Sequence, residues 1–459
     1  MNYSHVSVIA FNALFPSGVS MGTSTSYNLA EIDFDGQANP VIRGTSIAGV
    51  LRHRYSEVYG KESAAFLFGE AINRRTGKGS ESRIRFHDLH LDTGQGCKYD
   101  ERTSNAVDRH WGKVSKGSLY SFQLCPPNTS CFFRMEIFED DPLKLEEETK
   151  RIASIISSGL ILGGKSNRGC GYLKPPEDIF CSMFNISETD EYSKYLNITR
   201  YFREGNRCMS SEYFDPVKVD DTENSMLRLE ITFRIPSGQD ILIGDGKMQQ
   251  MKTVGYDGQK KWLLPCSSLR GVLRSFITSY AAKSKKQISY DLEKAPVNNL
   301  FSDDHASNVA WLFQKPSEGG KRNPELHDMY PVASLFGSLH AAGRLHVTDS
   351  LVSATVPAQV RMHVAVDAVS GGALEGALFS NEVIPSDATA EDGFHTSILV
   401  RYPVKDDINF LVASLKAIHS GYLRIGSSKA SGRLEVVQIP QSFGNLSSYF
   451  DQVWKEFSK

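Results

Sequence analysis

The chain contains two copies of one short motif. In the first copy, FDGQ at residues 34–37 leads into TSIAGVLR at residues 45–52, and in the second, YDGQ at residues 256–259 leads into SSLRGVLR at residues 267–274. The two copies lie 222 positions apart with no gap between the paired positions. Solenoid repeats recur every 20 to 50 residues or so. The spacing therefore predicts two homologous domains rather than a repeat array.

Four further pairs of segments follow in the same order in both halves of the chain. They are FLFG at 66–69 with SLFG at 334–337, SRIRFHD at 82–88 with GRLHVTD at 343–349, AVD at 106–108 with AVD at 365–367, and GGKSNRGCG at 163–171 with IGSSKASG at 425–432. The offset rises from 222 to 268 between the first two blocks and then stays near 260. One insertion of 46 residues in the second copy explains the rise.

The length also favours two domains. A chain of 459 residues exceeds what one core usually supports and fits two domains of about 200 residues each. We predict a first domain at 1–177, a polar linker at 178–225, and a second domain at 226–459. The inserted segment at about 283–330 belongs to the second domain.

Composition excludes several classes of protein. No apolar run approaches the roughly 20 residues that span a bilayer, and the N-terminal residues lack a basic region with a cleavage site, so we expect a cytoplasmic protein without a membrane partner. Seven scattered cysteines form no C-x-x-C pair, which supports neither a zinc site nor a disulfide framework. The net charge is −2, yet the repeated motifs are locally basic. A basic stripe on a near-neutral protein is sufficient to bind phosphates.

The pattern of apolar residues predicts an α+β fold. Residues 6–11 and 227–235 are rich in β-forming residues and predict an opening strand in each copy. TSIAGVLR and SSLRGVLR predict helices with a Ser or Thr N-cap. Residues 145–158 and 405–420 predict a second helix in each copy, ending at glycine. This order of elements is that of a ferredoxin-like (RRM-like) domain with insertions.

Two kinds of segment are candidates for phosphate binding. A Ser or Thr pair at a helix start, followed by arginine, presents N–H groups and a cation to a phosphate. The glycine-rich stretches differ from the Walker order but let a backbone approach RNA closely. The alternatives are a helix cap and a tight loop with solvated charges. The candidate RNA-binding residues are Arg43, Thr45, Ser46, Arg52, Lys165, Ser166, Arg168, Ser267, Ser268, Arg270, Arg274, Ser428 and Lys429.

Together these motifs resemble those of the RAMP superfamily, the repeat-associated proteins of CRISPR–Cas systems. The resemblance is carried by GTSIAGVLR, FLFG and GGKSNRGCGYL in the first copy and by PCSSLRGVLR, SLFG and IGSSKASGRLEV in the second. The chain is most similar to the backbone subunits of type III effector complexes. Two such modules in one chain resemble the fused backbone subunit of type III-D variants.

The resemblance implies both a fold and an activity. Each module would be a ferredoxin-like palm with a β-hairpin thumb that presses into the duplex of crRNA and target RNA. An aspartate in a loop before the conserved helix would help to cleave the target, with a divalent metal, presumed to be Mg²⁺ in this family, by attack of a 2′-hydroxyl on the adjacent phosphate. The implied partners are crRNA, complementary target RNA, further backbone subunits, a large subunit and a cap subunit. Base pairing would supply sequence specificity.

The catalytic candidates come from the loop before each conserved helix. Asp33 occupies the place of the family's aspartate in the first copy, and Asp245 lies in the matching loop of the second. Weaker candidates are Glu31, Asp35 and Asp257, of which the two aspartates precede glycine, where aspartate is common in turns. No metal ligand is assigned. We expect alanine at Asp33 or Asp245 to delete one set of cuts without weakening target binding.

Two other functions compete with this one. The chain is alternatively a purely structural backbone subunit whose acids are solvated loop residues. The other alternative is a standalone endonuclease that processes the CRISPR transcript with histidine assistance, for which His5, His53, His87 and His90 are available in the first half.

Overall fold

The computed structural model describes residues 3–23, 29–36, 38–71, 79–95, 99–105, 117–118, 120–207, 214–217, 226–244, 251–284, 331–337, 342–426 and 431–456. These residues form eight α-helices and several mostly antiparallel sheets, a mixed architecture that agrees with the predicted class. The ferredoxin-like arrangement stays a prediction. Across the described ranges, no helix has both the length and the apolar character that a bilayer crossing requires.

The elements are numbered in chain order. The helices are α1 Gly44–Tyr59, α2 Lys61–Phe68, α3 Pro142–Ser157, α4 Thr189–Arg203, α5 Cys266–Ser284, α6 Pro331–Phe336, α7 Lys405–His419 and α8 Ser447–Glu456. The strands of the first half are β1 His5–Phe15, β2 Gly22–Thr23, β3 Leu29–Ile32, β4 Val41–Ile42, β5 Ile84–Phe86, β6 Leu89–Asp92, β7 Asp100–Ser104, β8 Tyr120–Leu124, β9 Thr129–Glu139, β10 Leu160–Ile161, β11 Tyr172–Leu173, β12 Phe180–Asn185 and β13 Asp215–Pro216. Those of the second half are β14 Met226–Arg234, β15 Asp240–Ile241, β16 Lys252–Val254, β17 Lys260–Leu264, β18 Leu345–Val347, β19 Ser350–Ser353, β20 Gln359–Val366, β21 Ala373–Pro385, β22 Phe394–Arg401, β23 Glu435–Val436 and β24 Gln441–Gly444.

The main sheet of the first copy has the order β13-β12-β1-β9-β6-β4, and β5 also pairs with β9. β1 and β9 are antiparallel over their full length, from His5 opposite Glu139 to Phe15 opposite Thr129. Helix α3 packs on this pair of strands. One face of the sheet and the apolar side of α3 thus bury a common core, as an amphipathic helix on a sheet requires.

The second copy repeats the strand pairs of the first. Its β14·β22, β18·β22 and β17·β19 pairs correspond to β1·β9, β5·β9 and β4·β6. The register agrees residue by residue where it can be compared: Val41 lies opposite His90 in the first copy, and Leu263 lies opposite Leu351 in the second. The sequence repeat therefore corresponds to a repeat of sheet topology.

The predicted opening strands and helices are confirmed in both copies. α3 and α7 end within two residues of Gly159 and Gly421, whose φ values are 85° and 77°. A residue with a side chain is strained in this left-handed region, which is why glycine follows a helix end so often.

Part of the predicted linker folds onto the first copy. β12 pairs with β1, and α4 buries Tyr195, Ile198 and Phe202 against the same sheet. These apolar residues recur at helical spacing, which gives the segment a face to bury. Residues 180–203 therefore do more than connect the copies. The predicted domain boundaries themselves stay a prediction, and the insertion at about 283–330 lies almost wholly outside the described residues.

The two copies contact each other through several polar groups. The Arg102 guanidinium, carried by β7 of the first copy, donates to the Asp349 carboxylate of the second. Asp349 N–H in turn donates to Ser17 Oγ at 2.8 Å, and Thr253 Oγ1 donates to Asp100 Oδ2 at 2.9 Å. The described parts of both copies therefore meet in a shared interface with a buried ion pair.

Candidate nucleic-acid interface

Each repeated helix begins at a backbone N–H that bonds to an aspartate from another repeated block. Gly44, the first residue of α1, donates its N–H to Asp88 Oδ1 at 2.7 Å. Cys266, the first residue of α5, donates to Asp349 Oδ1 at 2.8 Å. A carboxylate at this place satisfies a free N–H and interacts favourably with the helix dipole. One structural contact thus explains why two distant sequence blocks recur together.

The predicted Ser or Thr cap of α1 is wrong. The residue before the helix is Arg43, whose side chain makes no capping bond, and Thr45 and Ser46 lie exposed inside the first turn. A side chain caps a helix from the position that precedes the first turn. Because the helix begins one residue earlier than the Ser/Thr pair, the cap comes from Asp88 instead.

Asp33 follows β3 and is held by an arginine. Arg43 Nε donates to Asp33 Oδ2 at 2.7 Å and Arg43 Nη2 donates to Asp33 Oδ1 at 3.1 Å. The third nitrogen of the guanidinium group, Nη1, donates to Asp88 Oδ2 at 3.2 Å. The hydrogen bonds from Arg43 lower the pKa of Asp33, although partial burial acts in the opposite direction. Asp33 is therefore an ionised carboxylate whose two oxygens both already accept hydrogen bonds.

The weaker candidates Asp35 and Asp257 both make turn contacts. Asp35 Oδ1 accepts the N–H of Asn39 at 2.8 Å, and Asp257 Oδ1 accepts the N–H of Gln259 at 3.1 Å. Lys261 bonds to the other oxygen of Asp257 at 2.9 Å and is the main reason why the pKa of Asp257 is lowered. These are the local bonds that aspartate makes in turns.

The glycine-rich loops of the two copies share one backbone geometry. Leu162 N–H donates to Gly171 O, and Ile425 N–H donates to Gly432 O, both at 2.8 Å. A Cβ on Gly171 would lie 1.9 Å from Leu162 O, and one on Gly432 would lie 2.0 Å from Ile425 O. Both glycines also have positive φ. These positions therefore require glycine for the close approach of two backbone segments.

Two cations of the first loop lie over aromatic rings. Lys165 Nζ is 5.2 Å from the centre of the Tyr120 ring, and the Arg168 guanidinium is 5.5 Å from the same ring. Such contacts orient a cation while leaving its N–H groups able to donate elsewhere. The loop also contacts the second copy, because Gly169 packs directly against Cys266 at the start of α5.

A basic cleft lies where the first glycine-rich loop meets the second copy. We call it the intercopy cleft; it has a volume of about 700 Å³ and is lined from the first copy by α1 and the loop and from the second by α5 and β18. Its cationic lining residues are Arg54, Lys165, Arg270, Arg274, Arg344 and Arg401. No aspartate or glutamate is found among its described lining residues. Clustered positive charge in a concave surface attracts polyanions.

Two arginines of the intercopy cleft also support its walls. Arg270 donates to the carbonyl oxygens of Leu345 and Phe336, and burial lowers its pKa to about 10. Arg344 is fully buried and donates to both oxygens of Asp407, at 2.7 and 3.0 Å. These residues fix the shape of the cleft, whereas Lys165 is half-buried and lies nearer to solvent.

His346 forms part of the cleft floor. Burial, together with the charges of Arg270 and Arg401, lowers its pKa to about 3. Its imidazole is therefore neutral at physiological pH. Nε2 of His346 is buried and has no hydrogen-bond partner within the described residues.

The predicted RNA-binding residues divide into three groups. Lys165, Ser166, Arg270 and Arg274 line the intercopy cleft. Arg43 instead pairs with carboxylates, while Thr45, Ser46 and Arg52 are exposed on α1, and Arg168, Ser267 and Ser268 are half-buried. Ser428, Lys429 and the catalytic candidate Asp245 lie outside the described residues, as does the side chain of Glu31.

Five cationic or histidine residues of the cleft were not predicted from sequence as RNA-binding: His53, Arg54, Arg344, His346 and Arg401. Arg54 pairs with Glu57 at 2.9 Å and donates to Tyr402 at 3.1 Å, and His53 precedes it on α1. Both residues follow the repeated helix start in a stretch of sequence without Asp or Glu, which could have indicated a basic surface. His346 and Arg401 lie on strands of the second copy, and nothing local to either one indicates a shared cleft.

The four histidines considered for transcript processing have separate partners. His5 bonds to Ser4, and His53 pairs with Glu57 at 3.3 Å. His87 pairs with Glu136 at 3.3 Å and His90 with Asp35 at 3.0 Å. His87 and His90 line a second cleft together.

The described side chains do not form a metal site. No group of three potential ligands from His, Cys, Asp and Glu gathers among them. Both oxygens of Asp33 accept hydrogen bonds from Arg43. The five cysteines that the structure describes are free thiols, four of them buried. We therefore derive no catalytic step through a metal ion.

Comparison with solved structures gives 253 matching chains, and one of them is a match of low similarity. It is to a chain in the cryo-EM structure of the type III-B Cmr-β complex bound to cognate target RNA, with 15% sequence identity and a TM-score of 0.30. The match covers 39% of this chain and 60% of that one, less than two thirds of its length. No curated protein matches.

The sequence profile of one family matches both copies. It is that of the RAMP superfamily, and it matches residues 14–174 and 239–434, each of which contains a repeated helix start, its aspartate cap and a glycine-rich loop. Together these segments make up well over half of the chain. The chain therefore belongs to the RAMP superfamily.

Proposed function

We propose that this chain is a crRNA-binding backbone subunit of a type III CRISPR–Cas effector complex that cleaves complementary target RNA. The observation that carries the proposal is the intercopy cleft, in which cations from both copies gather and no described lining residue is acidic, although Arg54 and Arg344 are themselves paired with Glu57 and Asp407. Protein contacts to RNA backbones come chiefly from such cations, and their affinity is independent of sequence. The motifs quoted above as resembling type III backbone subunits support the same assignment.

We further propose that each copy is a ferredoxin-like palm carrying a thumb, β7–β8 in the first and β20–β21 in the second. One face of β20–β21 is unusually apolar and open: Val360, Met362 and Leu378 are each more than 60% exposed. Apolar side chains of this kind insert between base steps of a nucleic-acid duplex. The expected neighbours in the complex are further backbone subunits, a large subunit and a cap subunit.

The first experiment is to purify the chain, alone and with its co-expressed neighbours, and to sequence the RNA that copurifies. Short RNAs with a uniform 5′ sequence are expected, because a backbone subunit holds a processed guide. Absence of RNA from both preparations would contradict the proposal.

Neutralising two cations of the intercopy cleft should weaken RNA binding. We expect Lys165→Ala with Arg274→Ala to lower guide-RNA affinity at every sequence tested and to reduce the slope of log K against log salt by roughly 1.4, about 0.7 for each phosphate contact on a single strand. Filter binding at several salt concentrations measures the slope. Lys144→Ala with Arg200→Ala, two exposed cations outside the cleft, is the matched control. An unchanged slope in the double cleft variant would show that the intercopy cleft does not bind the guide RNA.

Chelation should separate binding from cleavage. Mg²⁺ sites often use only one or two carboxylates together with substrate phosphates, so a preformed cluster of three ligands is not required. We expect EDTA to stop target cleavage, MgCl₂ to restore it, and RNA binding to persist throughout. Full cleavage in EDTA would show that the reaction needs no divalent ion.

One observation favours a non-catalytic subunit as the second candidate. Both carboxylate oxygens of Asp33 accept hydrogen bonds from Arg43, as expected for an ion pair with a purely structural role. The two candidates differ in whether complementary RNA is cut at all, and the Asp33 variant considered in the Discussion distinguishes them.

A further inference from the structure

A second cleft lies beside the Asp33 loop. We call it the His90 cleft; its volume is about 960 Å³, and it is lined by the turn after β3, by β6, by β9 and by the C-terminal end of α4. The intercopy cleft lies elsewhere and shares none of its lining residues. None of the candidate RNA-binding residues named above that the structure describes lines the His90 cleft.

A carboxylate and an imidazole pair within this cleft. His90 Nδ1 lies 3.0 Å from Asp35 Oδ2, and Asp35 Oδ1 is held by the N–H of Asn39 at 2.8 Å. Because a carboxylate only accepts, Nδ1 carries the proton of this bond. The Asp35 side chain is 15% exposed and that of His90 is 55% exposed. Asp35 therefore anchors the ring by one nitrogen and leaves Nε2 on the accessible side.

The charges around the imidazole suit a phosphodiester. Arg203 and Arg207 line the same cleft, together with Arg134, whose Nη2 donates to Glu136 Oε1 at 2.8 Å, and the second histidine, His87, bonds to the same carboxylate. The other two carboxylates of the cleft are engaged. Asp88 accepts from Gly44 N–H and Arg43, and Asp92 accepts from Gly94 N–H and from the Tyr256 hydroxyl.

The register of the strands brings His90 near Asp33. Val41 of β4 lies opposite His90 of β6, and Val41 N–H also donates to the Asp33 carbonyl at 3.0 Å. Neighbouring strands are about 4.8 Å apart, so the backbones of Asp33 and His90 are separated by about 10 Å. Residues directly opposite one another share a face of the sheet. Arg43, which holds Asp33, also donates to Asp88 of the cleft lining, so Asp33 lies beside the His90 cleft rather than in its lining.

At the corresponding described positions, the second copy has no such pair. Leu351 stands at the place of His90, opposite Leu263, which corresponds to Val41. Asp257, the counterpart of Asp35, pairs with Lys261 instead. The Asp35–His90 pair is thus specific to the first copy, although the surrounding strands are repeated.

We propose that His90, oriented by Asp35, is the general acid of the first copy's cleavage site, an inference that rests on the proposed function. The target 2′-oxygen forms a bond to the adjacent phosphorus while the bond from phosphorus to the 5′-oxygen breaks. The hydroxyl proton passes to solvent through the Asp33 carboxylate, and the imidazolium form of His90, protonated on both nitrogens, donates its Nε2 proton to the leaving 5′-oxygen. The products are a 2′,3′-cyclic phosphate and a 5′-hydroxyl, and a proton taken up from solvent restores the imidazolium.

A sulfur-substituted substrate tests this role directly. A target RNA with a 5′-bridging phosphorothiolate at the first copy's cut has a thiolate leaving group, which needs no proton. In the assembled complex, His90→Ala should cut ordinary RNA at that site at least about 100-fold more slowly, in line with loss of a general acid, and should cut the thiolate RNA at the wild-type rate. The first copy's cut is identified as the one that Asp33→Asn removes, and the second copy's cuts should persist.

Controls separate a chemical role from a structural one. His395→Gln changes another exposed histidine that pairs with an aspartate, Asp392, at 2.9 Å, and should cut both substrates normally. His90→Gln replaces His90→Ala if the alanine variant fails to assemble. Normal cleavage of ordinary RNA by the His90 variant, or an equal defect on both substrates, would overturn the general-acid role of His90 but leave the proposed function standing. Absence of any cut by the wild-type complex would overturn the proposed function together with it.

Discussion

Replacing Asp33 with asparagine should abolish one set of cuts in complementary target RNA. We expect a decrease of at least about 100-fold at those sites, the size expected when a group that handles a proton is lost. Asparagine has the shape of aspartate but carries no charge, so the loss reports on the carboxylate itself. The measurement is a cleavage ladder from the assembled complex on an end-labelled target, followed over time.

The same preparation supplies the controls for Asp33. Target affinity should be unchanged, because the cations of the intercopy cleft are untouched. Asp178→Asn, at an exposed aspartate of the same half of the chain, should leave the ladder as in the wild type. If the Asp33→Asn complex cuts normally at every site, Asp33 is not catalytic. The first copy would then be a purely structural module.

The pH dependence of Asp33 follows from its partner. Hydrogen bonds from Arg43 lower its pKa below the ordinary value of 3.8. A group whose pKa is lowered on folding stabilises the fold at pH values above its unfolded pKa, and this contribution is lost as the pH falls through the folded pKa. Asp33 therefore stays ionised between pH 5 and 8 or so. We expect no change in cleavage across that range that can be traced to Asp33.

Replacing Arg344 with methionine should destabilise the second copy by about 3 to 5 kcal/mol, because it leaves the Asp407 carboxylate buried without its cation. The two side chains are 0% and 2% exposed. Arg344 also donates to Ser334 Oγ and to the carbonyl oxygens of Arg401 and Tyr402, at 2.8 to 3.1 Å. Urea unfolding, with the free energy extrapolated to water, measures the effect.

Two further variants show whether the buried charge causes the loss. Adding Asp407→Leu to Arg344→Met should recover part of the stability, since no unpaired charge then remains. Arg83→Met is the matched change in the first copy, where the corresponding arginine pairs with Glu139 of β9 and the two side chains are 24% and 8% exposed, so its cost should be smaller. Equal losses for the Arg83 and Arg344 variants would contradict the dependence on burial.

Local pattern was sufficient for the main elements of the fold. β-forming residues in β1, alternation in β14, apolar spacing in α3 and α7, and glycines after both helices each act within a few residues, where backbone sterics and burial of one face decide the outcome. Helix α4 and its docking on the first sheet were not predicted, although its buried residues recur at helical spacing in the predicted linker. The N-terminal caps of α1 and α5 were predicted less well, because the carboxylate that accepts the first N–H of each helix comes from a separate block of sequence.

The sequence by itself determined that there are two homologous copies, where their predicted helices begin to within three residues, and that their glycine-rich loops recur. Only the tertiary structure decided which charges meet. Arg43 is turned onto Asp33 and Asp88, Lys165 and Arg274 line one cleft from opposite copies, and Asp35 holds His90. The reason is physical: helices and turns form through contacts over a few residues, whereas the environment of a charge depends on groups that chain folding brings from any distance.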